Sequence, residues 1–263
     1  MIMKSIAATV ALTAMTISTA QADQWSDIQK KGSFSCGVFA DVPPFSAPDI
    51  NTRELVGMDA DLCKSLAEKL GVAVELRPLS VEARIPELRM GRVDAIIANL
   101  AYTKTRAEQI QFSDPYYIAR ERLVVKKPLA DKDKEYFKGK KLSSTKGSTS
   151  EQSIRIAGAT PVTFQDTGSA YLAVIQNKTL GVVTNGMTAR SLIRNAKESG
   201  VEMAMIDEAM ALEPVGVGLR QGETAFYEHV NSALLAMEAD GTIDKVWNKW
   251  IGPNTEYGIA RVD

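Results

Sequence analysis

Histidine is all but missing from this sequence. The only one, His229, stands between Glu228 and Val230 in a terminal stretch with helical spacing. No serine–histidine–acid set, no clustered metal ligands and no phosphate loop accompany it, so hydrolytic, metal-assisted and nucleotide-driven chemistry lack the residues to carry them. Charge of one sign is missing too. The 31 basic residues face 32 acidic ones, and without a basic excess the chain has no footprint for nucleic acid. Beyond the N-terminus no apolar run is long enough to cross a bilayer. Cysteine is confined to Cys36 and Cys63.

What is present begins with an export pattern. Lys4 supplies a positive start, 6–17 is mostly apolar, and Ala20-Gln21-Ala22 is a small-x-small cleavage site. Residues 1–22 are therefore expected to be a signal peptide that sends the chain to the periplasm. The apolar run is too short to be a membrane anchor, and no cysteine at the cleavage site invites a lipid. Losing Lys4 would take the formal charge from −1 to −2. In an oxidising compartment Cys36 and Cys63 are either bridged or two buried thiols, and the sequence leaves both open.

The remainder alternates in type. Residues 34–39 form an apolar strand, 58–70 a helix with Leu62, Leu66, Ala67 and Leu70 on one face and Gly71 as its stop, 72–76 a strand, 82–90 a helix and 94–97 a strand. This β-α-β-α-β order predicts a parallel sheet. After an extended crossing at 123–125 the order repeats: strands at 141–144, 161–164 and 180–184, helices at 148–156, 169–176 and 187–197. A second extended run, 215–219, precedes helices at 224–238 and 242–250. The fold class is α/β with two lobes: 23–120 with 215–263 as the first, 121–214 as the second. Ligand is expected between them, at the carboxyl ends of the strands.

One stretch suggests what that ligand carries. The strand at 94–97 ends in polar residues and is followed by a short helix that Thr103 is placed to cap, three residues before Arg106. A guanidinium and free backbone N–H groups at one crevice make an anion site in outline.

Six motifs in order then carry a family resemblance: 37–45 (GVFADVPPF), 57–62 (GMDADL), 94–106, 112–117 (FSDPYY), 146–149 (KGST), and 240–242 (DGT) with 249–252 (KWIG). The chain resembles the periplasmic polar amino-acid-binding proteins of ABC importers, solute-binding protein family 3, over essentially its whole exported length. The resemblance implies a monomeric clamp that closes on a small carboxylate or amino acid and delivers it to a membrane permease, with no cofactor and no catalytic residue. It implies that Arg106 pairs with the ligand α-carboxylate and that Thr149, at a helix start, adds an N–H or hydroxyl to the same group, with Ser148 beside it as a further ligand-binding candidate.

The departures from the family matter as much. Ala101 stands where a hydroxyl is usual, with Asn99 nearby to compensate in part. Asn185 stands where an aspartate usually meets the ligand ammonium. An amide accepts a hydrogen bond but brings no charge, so either another carboxylate, Asp166 or Glu151, takes that role or the ligand has a modified or absent amine. The ligand side chain is expected to meet Phe39, Val42, Leu55 and Arg84. The wording around GVFADVPPF and Arg84-Ile85-Pro86 is closest to the acidic amino-acid binders of the family, although Phe39 replaces a frequent cation. A periplasmic lyase or dehydratase, or a ligand sensor, on the same fold is the alternative; Glu151 or Asp166 would be its proton-transfer group.

Overall fold

The structure, a computed structural model, describes residues 23–252. The expected signal peptide at 1–22 lies outside the described residues. In chain order come α1 (Gln24–Lys31), β1 (Ser33–Phe39), β2 (Ala47–Pro48), β3 (Leu55–Val56), α2 (Met58–Leu70), β4 (Ala73–Leu79), α3 (Arg84–Arg89), β5 (Ala95–Ile96), α4 (Lys104–Ala107), β6 (Gln111–Phe112) and the long β7 (Tyr117–Lys126). Then follow β8 (Lys141–Thr145), α5 (Thr149–Ile156), β9 (Thr160–Phe164), α6 (Thr167–Ile175), β10 (Gly181–Asn185), α7 (Gly186–Glu198), β11 (Met203–Val215), β12 (Gly218–Leu219), α8 (Thr224–Ala239) and α9 (Thr242–Ile251).

Two five-stranded sheets make two lobes. The first has the order β4-β1-β5-β12-β6 and the second β11-β7-β10-β8-β9. Both are mixed, not wholly parallel. In the first, β1 runs parallel to β4 and β5, while the returning β12 is antiparallel to β5 and β6. In the second, β8, β9 and β10 are parallel and β7 is antiparallel to β10 and β11.

Patterning explains the elements. In β1 every residue from Phe34 to Phe39 is buried, as a central strand covered on both faces requires. On α2, Met58, Leu62, Cys63, Leu66 and Ala67 face the core, and Gly71 ends the helix at φ 70°, where a glycine incurs no Cβ clash. Cys63 meets Cys36 of β1 in a disulfide with Cα atoms 6.2 Å apart, so of the two arrangements left open, the bridge is the one formed. In the second lobe successive strand residues serve opposite faces. Leu123, Val125 and Val183 join one apolar cluster; Val124 and Val182 join the other.

The chain crosses between lobes earlier than expected. Residues 123–125 lie inside the second sheet, where they pair with β10 and β11. The paired crossing is at Tyr116, whose N–H donates to Val215 O (2.9 Å), next to Ser113 N–H on Val217 O (2.9 Å). Here Tyr117 packs edge-on against Trp247 of α9, with centroids 4.8 Å apart. The strand β11 was not expected from the sequence. Its pairing with β7 slips between Met205 and Ala209 and again between Ala209 and Ala211, and such bulges destroy the period of two that marks a strand. The lobes also touch across the cleft mouth, where Lys146 Nζ lies 3.0 Å from Glu82 Oε1 and Thr188 Oγ1 donates to Pro43 O at 3.4 Å.

Candidate functional site

The cleft between the lobes holds a cavity of about 450 Å³, including its open mouth. From the first lobe come Phe39, Val42, Val81, Arg84, Asn99 and Arg106. The second contributes Glu121, Asn185, the α5 start Ser148-Thr149-Ser150, and Thr145, Thr167, Thr184 and Thr188.

Arg106 is set by its short helix. Thr103 Oγ1 accepts from Arg106 N–H at 3.2 Å, the cap its position predicts. The guanidinium donates to Ala101 O (2.8 Å) and, across the cleft, to Gly147 O (3.2 Å), which leaves further N–H groups for the cavity. Burial lowers its pKa, while the nearby Glu213 and Glu121 carboxylates hold it up. Opposite, Ser148 caps α5 by accepting Glu151 N–H (3.2 Å). The first-turn N–H groups of that helix have no intrahelical acceptor. The hydroxyl of Thr149 is engaged with Glu213 Oε2 at 2.7 Å.

Arg84 is 3% exposed, not a surface helix residue. Its Nε donates to Val81 O (3.0 Å) and Nη1 to Ala98 O (2.8 Å), and the guanidinium carbon sits 5.0 Å from the centre of the Phe39 ring. Burial and then the charge of Arg106 push its pKa well down, and Asp59 on α2 opposes them. Two guanidiniums close enough to repel one another line a single cavity.

The tyrosine at the crossing joins the two halves. Tyr117 OH donates to Asn99 Oδ1, and Asn185 Nδ2 donates to the same hydroxyl at 3.5 Å. Asn99 holds φ 42°, a left-handed conformation that asparagine tolerates better than most residues. Asn99 lines the cavity, and with its oxygen taken it keeps its amide N–H groups as the donors that would stand in part for the hydroxyl absent at Ala101. Ala101 itself is buried behind the cavity wall and acts through its carbonyl on Arg106.

Several expectations need correction. Leu55 lies in β3, opposite Pro48, where it packs on the first lobe's core and is not among the residues lining the cavity. Asp166 caps α6 through Ser169 N–H (2.7 Å), and Glu151 pairs with Arg155 (2.8 Å). Neither lines the cavity. The oxygen of Asn185 accepts Met187 N–H at 2.9 Å, so it is spent on capping α7.

The acid that does line the cavity is Glu121, 3% exposed, with Glu213 beside it. Ser150 Oγ donates to Glu121 Oε2. Burial, then the charge of Glu213, pushes the Glu121 carboxyl up to about 8, against the pull of Ser150 and Arg106. Glu213 is raised as well, chiefly by burial. The sequence did contain a signal. In Tyr117-x-Ala119-x-Glu121-x-Leu123-x-Val125 the glutamate occupies an inward position of an alternating strand.

A two-lobed molecule with a charged cavity at its crossing strands invites comparison with known proteins. Residues 34–253 match the model of the bacterial extracellular solute-binding proteins, family 3. The chain belongs to this family. Among relatives of this solute-binding protein, an ABC transporter glutamine-binding protein, GlnH of Bacillus subtilis, is 27% identical over 235 residues, covering 87% of this chain and 85% of its own. Among solved structures, an ancestral arginine-binding protein bound to glutamine is 37% identical with a TM-score of 0.77, covering 84% of this chain and 98% of that one. An ancestral amino acid-binding protein described as a precursor of cyclohexadienyl dehydratase is 33% identical, also at 0.77, covering 87% and 99%.

Proposed function

We propose that this solute-binding protein is the periplasmic, monomeric capture component of an ABC importer and that it takes a polar or acidic amino acid to the membrane permease. The observation that carries this reading is the convergence of Arg106 from one lobe and the first turn of α5 from the other on a single cavity. A planar fork and a helix N-terminus both favour a carboxylate, and a site assembled from two lobes is complete only when they close. The lobes would turn about the paired crossing at Tyr116 and Val215, near the boundaries expected at 120–121 and 214–215. Beyond the carboxylate, Arg84 would meet a polar or acidic end of the ligand, with Phe39, Val42 and Val81 as the apolar wall. The names of the relatives, which include glutamine, cystine, arginine and histidine binders, support an amino acid without choosing one.

A thermal-shift screen against the L-amino acids and their deaminated acids tests this. A compound present at 100 times its Kd adds about 2.7 kcal/mol, or roughly 5–10 °C for a domain of this size. One dominant amino acid is the expected outcome; no shift from any of them would sink the reading.

A second reading, a lyase or dehydratase, is favoured by one observation. Glu121, a buried carboxyl on the cavity wall that burial and Glu213 push up to about 8, keeps its proton near neutral pH, as a general acid must. Following the strongest binder by NMR with catalytic amounts of protein separates the two: a carrier leaves its ligand unchanged.

A further inference from the structure

The capture of an amino acid by Arg106 leaves open what meets the ligand's positive charge. We propose that Glu121 is the counter-ion for the ligand α-ammonium, in place of Asn185. This rests on the reading that Arg106 holds the carboxylate, and it adds the second half of the recognition.

The argument starts from sheet register. In the antiparallel pairing of β7 with β10, Glu121 is the direct partner of Asn185. Directly opposed residues point to the same face with Cβ atoms about 4.5–5.5 Å apart. A carboxylate on Glu121 therefore reaches the region an acid at 185 would serve, from one strand over. The two side chains are spent differently. Asn185 turns its oxygen to Met187 N–H and its amide nitrogen to Tyr117 OH, so its outward capacity for a cation is largely used. Glu121 keeps one oxygen for Ser150, and its other oxygen, Oε1, has no hydrogen bond among the described residues.

Charge complementarity points the same way. The cavity has a cation, Arg106, on the first lobe's wall and on the second a carboxyl, Glu121, that an ammonium would draw into its anionic form, with the carboxyl of Glu213, held by Thr149 Oγ1, on the neighbouring β11. A zwitterion whose opposite charges share one carbon matches such a pair; a simple carboxylic acid matches only half of it. Without a cation, burial and Glu213 keep a proton on Glu121. An arriving ammonium takes over the role of that proton, which leaves to solvent, while the ammonium keeps its own.

The test uses the full chain, the strongest L-amino acid of the screen and its deamino analogue, the same acid with hydrogen in place of the amine. Calorimetry on Glu121→Gln, which preserves shape and removes charge, should show the amino acid weakened about a hundredfold and the deamino acid changed by no more than a few-fold. Adding Asn185→Asp to that variant should restore at least tenfold for the amino acid alone. Equal weakening of both probes would mean that Glu121 only shapes the cleft, and the proposal falls. It falls as well if the amino acid keeps its affinity in Glu121→Gln yet loses it in Arg106→Ala, a result that leaves the carboxylate reading standing. If no amino acid binds the unmodified chain, both fall together. Conversion of the amino acid by the unmodified chain but not by Glu121→Gln would reassign Glu121 as a general acid.

Discussion

Raising the pH of the ligand-free protein should destabilise it through one side chain. Glu121 lies on the inward face of β7, faced by Glu213 from β11, Arg106 from α4 and Ser150 from α5. In the unfolded chain its carboxyl titrates near the ordinary glutamate value of 4.5; in the fold, burial and Glu213 raise it to about 8. The folded state therefore holds a proton that the unfolded state has released across this window. Its contribution is fully present below the unfolded value and is lost as pH rises towards and through the folded one. Each unit is worth about 1.36 kcal/mol at most, so the whole window amounts to a few kcal/mol after relaxation of the site, or on the order of 10 °C in Tm. Melting curves between pH 5 and 9, taken on the unmodified chain and on Glu121→Gln, isolate the contribution of Glu121 together with its coupling to Glu213, because groups away from this pair titrate alike in both. The variant should lose the slope and be the more stable of the two at pH 9. Parallel curves across the range would refute the reasoning.

Two further outcomes bear on the fold. Replacing Cys36 and Cys63 by alanine opens a loop with a sequence separation of 27, which by chain entropy costs about 3.5 kcal/mol; chemical denaturation should show that loss, and an unchanged midpoint would count against it. Gly57, at φ 144°, places any added Cβ 2.2 Å from Phe45 O and 2.6 Å from Phe45 C, backbone atoms of the carbonyl that accepts Asp59 N–H at the start of α2. Gly57→Ala should therefore lower stability by about 3 kcal/mol or more, and a variant melting with the parent would show that the loop yields.

The sequence made the repeating α/β order legible because its strands are short apolar runs and its helices carry clear stripes. The helix Met58–Leu70, with its glycine stop, matches the expected 58–70. The C-terminal return was also visible, as an apolar run before two helices. What stayed hidden depends on pairing between distant segments. The strand Met203–Val215 keeps no strict alternation because bulges interrupt it, so its role beside β7 appears only once both strands are placed. The site divides similarly. Arg106 could be found from its local cap, since Thr103 and the arginine lie on the same turn. Glu121 could not be assigned to the cleft until the register set it opposite Asn185, and Leu55 was misplaced because a two-residue strand carries too little pattern to say that its side chain packs on the core.

The central claim is that the cleft captures an amino acid by its carboxylate through Arg106, and titration calorimetry on Arg106→Ala tests it most directly. The side chain makes two hydrogen bonds, to the backbone carbonyls Ala101 O and Gly147 O, and belongs to none of the apolar clusters, so the variant should fold. Removing one partner of a buried ion pair typically costs about 3–5 kcal/mol, which is about a hundredfold to a few thousandfold in Kd. The account predicts that loss for the strongest amino acid of the screen. A folded Arg106→Ala protein that binds it with unchanged Kd would contradict the account.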